Sequence, residues 1–333
     1  MRKIGKTGAI VLCLALFSAF ALGSGSSGSS TSTSESTKEE TSAVTSQTET
    51  SSETTESVAA TDTSSEDTKT EFYVGETFED KGLSITYVSS GDYESDNEFI
   101  TPADGNKFIR LYFHVDNQSS SDQSISTYSF HCYADGYECS ATYMEDDISA
   151  SLSTGRSTDG AVYFEVPVDA AEVEVEYEYN LFSDKKIKFI YEGDKDSGLT
   201  FEKNTTESAD ALHVGDTLET KNLKISYLNA AEYVSDNMFI QPADGMKYIY
   251  IELEFENLSS TDQSISYFSF ECYADGASCS GYYGMDDLLS ATLSSGRKAK
   301  GTVAFEVPAD ASVIEIEFED NIWTDNKIIF SYN

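Results

Sequence analysis

The stretch "KYIYIELEFEN" at residues 247–257 alternates without a break. Ile249, Ile251, Leu253 and Phe255 fall on one side of an extended chain, and Tyr248, Tyr250, Glu252 and Glu254 on the other. A period of two marks a strand with one face in a core and one in water. "KFIRLYFHVDN" at 107–117 repeats the pattern, with Ile109, Leu111, Phe113 and Val115 inward and Phe108, Arg110, Tyr112 and His114 outward. "VEVEYE" (173–178) and "IEIEFE" (314–319) place glutamate at every second position. The outward glutamates are expected to form a solvated surface whose like charges discourage edge-to-edge pairing. Alternation with one wet face belongs to antiparallel sheets, since parallel strands read as unbroken apolar runs.

The chain repeats itself at a shift of 140 residues. "YESDNEFITPADG" (93–105) matches "YVSDNMFIQPADG" (233–245) at 10 of 13 positions, and "DQSIS" recurs at 122 and 262. Near Asp287 the second copy gains one residue, after which "FEVP" at 164 aligns with "FEVP" at 305. Further strands are legible at 83–88, 128–134, 160–166 and 186–191, each with a counterpart. Seven or so short strands per copy, turn signals between them and no sustained helical period predict an all-β chain of two tandem immunoglobulin-like antiparallel β-sandwich domains. The expected organisation is 71–191 for repeat 1, a polar linker at 192–211 and 212–333 for repeat 2; each repeat is long enough for its own core.

Upstream, Arg2, Lys3 and Lys6, an apolar stretch from Ala9 to Leu22 and small residues after it follow the order of an export signal over residues 1–23. Cleavage is expected after Gly23; the alternative is an uncleaved signal that tethers the chain to a membrane. Cys13 lies within the apolar stretch and would leave with it. Residues 24–70 contain 28 Ser or Thr among 47 and no aromatic residue. Such a segment buries too little apolar surface to offset chain entropy and is expected to be a disordered spacer. Asn117, Asn204 and Asn257 begin Asn-X-Ser/Thr triplets, which matter only where glycosylation machinery exists. The net charge is −38, with 59 acidic residues against 21 basic. Nucleic acid and anionic lipid surfaces are thereby excluded as partners, while cations and neutral polymers such as glycans stay open.

Four cysteines remain beyond the signal, in "CYADGYEC" (132–139) and "CYADGASC" (272–279). With Asp135-Gly136 as the central pair of a two-residue hairpin turn, Ala134 faces Tyr137, Tyr133 faces Glu138 and Cys132 faces Cys139; the same holds for Cys272 and Cys279 about Asp275-Gly276. Redox motifs use two intervening residues and a helix start, and a zinc site needs four ligands, so the spacing predicts one disulfide per repeat.

"VGETF…GLSITYV" and "VGDTL…NLKISYL", "DGxKxI" opening a long strand that ends in Asn, "YADG", and "SxGRxxxGxVxFEVP" together resemble a family of exported proteins and lipoproteins of Gram-positive bacteria with a domain of unknown function. The family is similar to the immunoglobulin-like sandwich of a mycobacterial immunoprotective extracellular antigen. The resemblance implies a secreted or cell-surface protein and supplies no catalytic residue. Many relatives carry a lipidation cysteine directly after the signal; Gly23 and Ser24 stand there here.

Candidate chemistry is sparse. His114, His131 and His213 face Glu254, Glu271 and Tyr73 in the other copy, so no histidine position is duplicated. Asp96, Asp104, Asp236 and Asp244, with Asp146, Asp147, Asp286 and Asp287 in another loop, are candidate Ca²⁺ ligands; turn formation and solubility explain them equally. Tyr112, Tyr248, Tyr250, Tyr143, Tyr282 and Tyr283 are candidate exposed rings for sugars or protein partners, or a covering for neighbouring strands. The expected function is non-enzymatic binding of an extracellular polymer, glycan or surface protein. The alternatives are a Ca²⁺-dependent adhesion or sensing module and a carbohydrate-active enzyme with paired carboxylates in a concave pocket.

Overall fold

The computed structural model describes residues 69–180, 185–319 and 327–332; the signal-like stretch 1–23 and the 24–70 segment up to Thr68 lie outside them. The chain is all-β, apart from two single-turn 3-10 helices among the described residues. Both repeats fall within one compact unit, Thr68–Asn333.

In repeat 1, Leu83–Tyr93, Asn106–Asn117 and Arg156–Pro167 form an antiparallel sheet in that order, extended by the short strands Thr77–Asp80, Ser140–Thr142 and Lys195–Asp196. A second sheet runs Glu71–Phe72, Lys185–Ile190, Val173–Asn180, Phe130–Ala134, Tyr137–Glu138. The alternating sequences dictate which faces meet: Ile109, Leu111, Phe113 and Val115 from one sheet and Phe130, Cys132, Val175 and Phe189 from the other belong to one core. Repeat 2 is built alike. Leu223–Tyr233, Met246–Asn257 and Lys298–Pro308 carry Ile249, Ile251, Leu253 and Phe255 against Phe270, Cys272, Ile316, Phe318 and Phe330. Each fully buried side chain of this size contributes about 1.5–3 kcal/mol, so the inward sets read from the sequence account for much of the drive to fold.

The long strand ends in both repeats at a buried asparagine that closes the following loop. Asn117 Nδ2 donates to the carbonyls of Ser121 (2.9 Å) and Leu152 (2.7 Å), while its Oδ1 accepts from Ser119 N (3.0 Å). Asn257 does the same with Thr261, Leu293 and Ser259. Neither asparagine is accessible to solvent, so these two triplets serve the loop and offer no glycan acceptor.

The cysteine hairpins have the predicted register. Asp135 and Asp275 adopt φ +50° and Gly136 and Gly276 φ +81° and +88°, the left-handed pair that a tight primed turn needs. Tyr133 pairs with Glu138, Ala134 with Tyr137, and Cys272 with Cys279. No S–S bond joins Cys132 to Cys139 or Cys272 to Cys279 among the described residues. Cys139 Sγ donates to the carbonyl of Tyr137 and Cys279 Sγ to that of Ala277, both at 3.6 Å, which turns each rim thiol back onto its own hairpin. Burial pushes the Cys132 and Cys272 thiols up, away from the reactive thiolate.

One expectation about the surface is overturned. Glu174 and Glu176 of repeat 1 are half-buried beside Lys188 and Lys186, but their counterparts Glu315 and Glu317 retain only 1% and 4% of their accessible surface. Repeat 1 itself covers them.

Candidate binding surfaces and the junction of the repeats

The junction is assembled from the turn Ser153–Arg156 of repeat 1 and the strand Ile314–Glu319 of repeat 2. Arg156 Nη2 lies 2.7 Å from Glu315 and from Glu317, its Nε donates to Glu317 at 2.9 Å, and its guanidinium lies 4.6 Å from the Tyr273 ring centroid. Ser153 and Lys327 hydrogen-bond across the same seam, with Ser153 Oγ also donating to Glu317, and Lys327 pairs with Asp122 at 2.7 Å. Tyr273 enters the repeat 1 core and its hydroxyl donates to the carbonyl of Ser151 at 2.9 Å. One strand pair, Ser157 with Ala277, carries the sheet across. Desolvation opposes the charged forms here, yet the Arg156 guanidinium, with Ser208 N–H, holds the Glu315 carboxyl below its usual range. Beside them, burial with help from Glu317 and Asp122 pushes Glu271 up to about 7, against Lys327.

Lys195–Asp196 of the linker joins the repeat 1 sheet, and residues 201–208 line this seam. Phe201 stacks on His114 with ring centroids 3.6 Å apart, Asn204 N donates to the Asp275 carbonyl, and Ser208 N donates to Glu315 at 2.6 Å. A polar cleft of about 320 Å³ remains between the linker, the Ser153–Arg156 turn and Lys327. Its carboxylate Glu317 is committed to Arg156 and Ser153, and Asp122 to Lys327. Neither carboxylate is set up as the uncommitted acid and base of a glycosidase pair.

His114, reached by the linker phenylalanine, lies between Asp159 (Nδ1, 2.8 Å) and Asp116 (Nε2, 3.0 Å). Burial opposes its protonation, but the two aspartates outweigh burial and raise its pKa to about 9. His131 belongs to the other sheet, so the two histidines share no site. Among the described residues no group of three or more His, Cys, Asp or Glu side chains converges on a point that a metal ion could occupy. Asp96, Asp104, Asp236 and Asp244 are all exposed. The anchoring of their loops falls instead to Glu165, which accepts from Ala103 N (2.9 Å) and Asn106 Nδ2 (2.8 Å), and to Glu306, which accepts from Ala243 N (2.6 Å). The Asn106 and Ala103 hydrogen bonds hold the Glu165 carboxyl below its usual range.

The same loops push apolar side chains outward. Asn97 Oδ1 accepts from Phe99 N and Asn237 Oδ1 from Phe239 N, both at 3.0 Å, and this side-chain turn leaves Phe99 and Phe239 82% and 78% exposed. A second duplicated feature lies at the 3-10 turns Thr127–Ser129 and Tyr267–Ser269, which replace the start of the strand expected from 128. Ser126 and Ser266 cap them. The turns expose Tyr128 and Phe268 (74% and 68%) and bring them to 5.8 Å and 5.6 Å, centroid to centroid, from Tyr143 and Tyr283. Tyr267 extends the repeat 2 group at 4.2 Å from Phe268. Of the rings expected outside, Tyr143 and Tyr283 are exposed, while Tyr248 and Tyr282 bury each other in a stack at 4.0 Å.

Residues 72–187 and 212–328 match the family model described as Domain of unknown function (DUF4352), and the chain belongs to that family. No curated protein matches it. Solved structures similar to it include the yjhA protein of Bacillus subtilis, at 16% identity over 36% of this chain and 98% of that one with a TM-score of 0.29. The secreted protein MPT63 of Mycobacterium tuberculosis is similar at 12% identity, 37% and 99% coverage and a TM-score of 0.28. An uncharacterized β-sandwich protein of Clostridium difficile gives 13% identity, 38% and 98% coverage and a TM-score of 0.26.

Proposed function

Taking membership in that family as the premise, we propose that the chain is an exported, non-enzymatic binding protein whose two immunoglobulin-like sandwiches stand on a disordered spacer outside the cell. It engages a polymer or glycan of the extracellular surface through aromatic rings. The observation that carries this reading is the exposed ring pair, Tyr128 with Tyr143 and Phe268 with Tyr283, present at equivalent places in both repeats. Exposed large rings on a polar, acidic surface are costly unless used, and ring faces stack on sugars. Two equivalent patches on one chain favour a repeating ligand, because the second contact forms at high effective concentration.

The test is affinity electrophoresis of the full chain through gels containing purified wall polysaccharide. Tyr128→Ser and Phe268→Ser are expected to weaken retardation several-fold singly and to abolish it together. Equal retardation of the double variant and the parent would remove the reading.

A further inference from the structure

We propose that this chain associates head to tail with a second copy of itself, using between chains the contact that already joins its two repeats. The internal contact is heterologous: a turn of repeat 1 enters a strand face of repeat 2. The charged participants recur in the repeat that does not use them, except Glu271, whose counterpart is His131. The turn Ser294–Arg297 of repeat 2 matches Ser153–Arg156 in sequence and in backbone. Arg156 N donates to Ser153 O (3.1 Å) and Arg297 N to Ser294 O (2.9 Å); Gly155 and Gly296 both adopt left-handed φ and donate to Asn117 and Asn257. Arg156 is buried by its partners, whereas Arg297 is exposed and makes no ion pair among the described residues.

The receiving face is repeated as well. Glu315 and Glu317 pair in register with Tyr273 and Glu271, and Glu174 and Glu176 pair in the same register with Tyr133 and His131. Lys186 stands at the place of Lys327, and Asp262 at that of Asp122. Arg297 of one copy therefore finds on repeat 1 of the next a ring and two carboxylates in the arrangement that holds Arg156. Two changes weaken the contact: Lys188 replaces Ile329, and it and Lys186 now occupy Glu174 and Glu176 at 2.7 and 3.1 Å. The lysines are more than a third exposed, and exposed pairs of this kind contribute little, so they yield to a better-placed guanidinium. Residues 24–68 carry nine acidic residues and one lysine, a charge unsuited to a face that holds two glutamates. A heterologous contact that leaves one turn and one face free at its ends propagates into rings or filaments.

Sedimentation velocity of the full chain from about 5 to 300 μM, at low and high salt, tests this. The expected result is a concentration-dependent increase in mass that salt suppresses. Arg297→Glu removes the turn and the double change Glu174→Lys, Glu176→Lys removes the face, so each variant alone is monomeric. Mixing the double variant with Arg297→Ala, whose turn offers the introduced lysines no partner, restores one contact and forms a dimer with no larger species. A parent chain that stays monomeric at 300 μM overturns the proposal, as does association that survives Arg297→Glu. Association confined to a chain beginning at residue 69 also overturns it, since residues 24–68 would then hold the face.

Discussion

Glu174 and Glu176 of repeat 1 and Glu315 and Glu317 of repeat 2 occupy the same places in the same strand, yet only the second pair is buried under an arginine. The local sequences, "VEVEYE" and "IEIEFE", are equally alternating. Burial here is set by tandem order: repeat 2 has a neighbour presenting Arg156 to this face, and repeat 1 has none within the described residues. The duplicated chain thus contains its own control, in which one copy reports what a residue does alone and the other what it does in contact.

The largest break in this symmetry is expected from Arg156→Ala. Removing one partner from a buried ion group strands two carboxylates, which costs about 3–5 kcal/mol. Arg297→Ala is expected to change stability by no more than about 0.5 kcal/mol, as an exposed substitution away from packed features does. Calorimetry separates the cases: Arg156→Ala lowers the melting temperature of repeat 2 and splits the unfolding transition, and Arg297→Ala leaves the trace unchanged. A sharper version replaces the whole group, with Arg156→Met, Glu315→Leu and Glu317→Leu. Buried ion groups exchanged for packed apolar residues are neutral or stabilised by about 1–4 kcal/mol, so the triple variant is expected to recover at least the parent melting temperature. A triple variant as unstable as Arg156→Ala would mean that the charges themselves hold the junction.

The inward strand sets and both hairpin registers were legible because they depend on period and on Asp-Gly turns, which are local. The burial of Glu315 and Glu317 was not, because their partner lies about 160 residues upstream and alternation is identical whether the outer face meets water or protein. Facing positions specify the proximity of the cysteines, and the rim thiols also turn to their own hairpin carbonyls. The exposure of Tyr143 and Tyr283 follows from their loop position. Tyr128 and Phe268 were hidden inside an apparent strand, since a serine-capped 3-10 turn gives only the weak cue of Ser126 and Ser266. Phe99 and Phe239 read as apolar residues in a turn, and the side-chain acceptors Asn97 and Asn237 that project them carry no periodic signal.

A smaller difference separates the paired long strands. Repeat 1 sets His114 between Asp116 and Asp159, while repeat 2 sets Glu254 and Glu256 about Lys298 and Glu252 beside Lys300. The charges are inverted. The folded His114 titrates at about 9, above its ordinary 6.5, so its contribution is full below pH 6.5 and is lost as pH rises through 9. His114→Gln is expected to lower the repeat 1 melting temperature at pH 6 by an amount corresponding to at most about 3 kcal/mol, and to have almost no effect at pH 10. Glu254→Gln removes a partner of Lys298, whose pKa its hydrogen bonds to Glu256 and Glu254 raise, and shows no such window. A His114→Gln penalty that persists unchanged at pH 10 would assign the loss to the Phe201 stack in place of the charge.

A smaller gain is expected where repeat 1 has a carboxylate and repeat 2 an alkyl chain. Asp147 bridges to Ala161 as Leu288 bridges to Thr302, so the two residues are structural equivalents. Thr302 Oγ1 donates to Asp287 Oδ1 at 3.0 Å, a contact that Ala161 cannot offer to the carboxylate beside it, and Asp147 Oδ1 is buried without a hydrogen-bond partner. Burial pushes Asp147 up to about 6, with Asp146 adding to it. A carboxyl raised in the folded state favours folding below its ordinary pKa of 3.8 and loses that advantage as pH climbs through 6. Asp147→Leu is therefore expected to raise the repeat 1 melting temperature at pH 7.5 by an amount corresponding to no more than about 1 kcal/mol, with a smaller gain or none at pH 4. The site is half open to solvent and the carboxylate keeps part of its hydration, which is why the gain falls at the low end of the range for an unpaired buried group. An equal gain at both pH values would trace it to added apolar contact alone, and a loss would show that Asp147 holds its loop through the oxygen that is not buried.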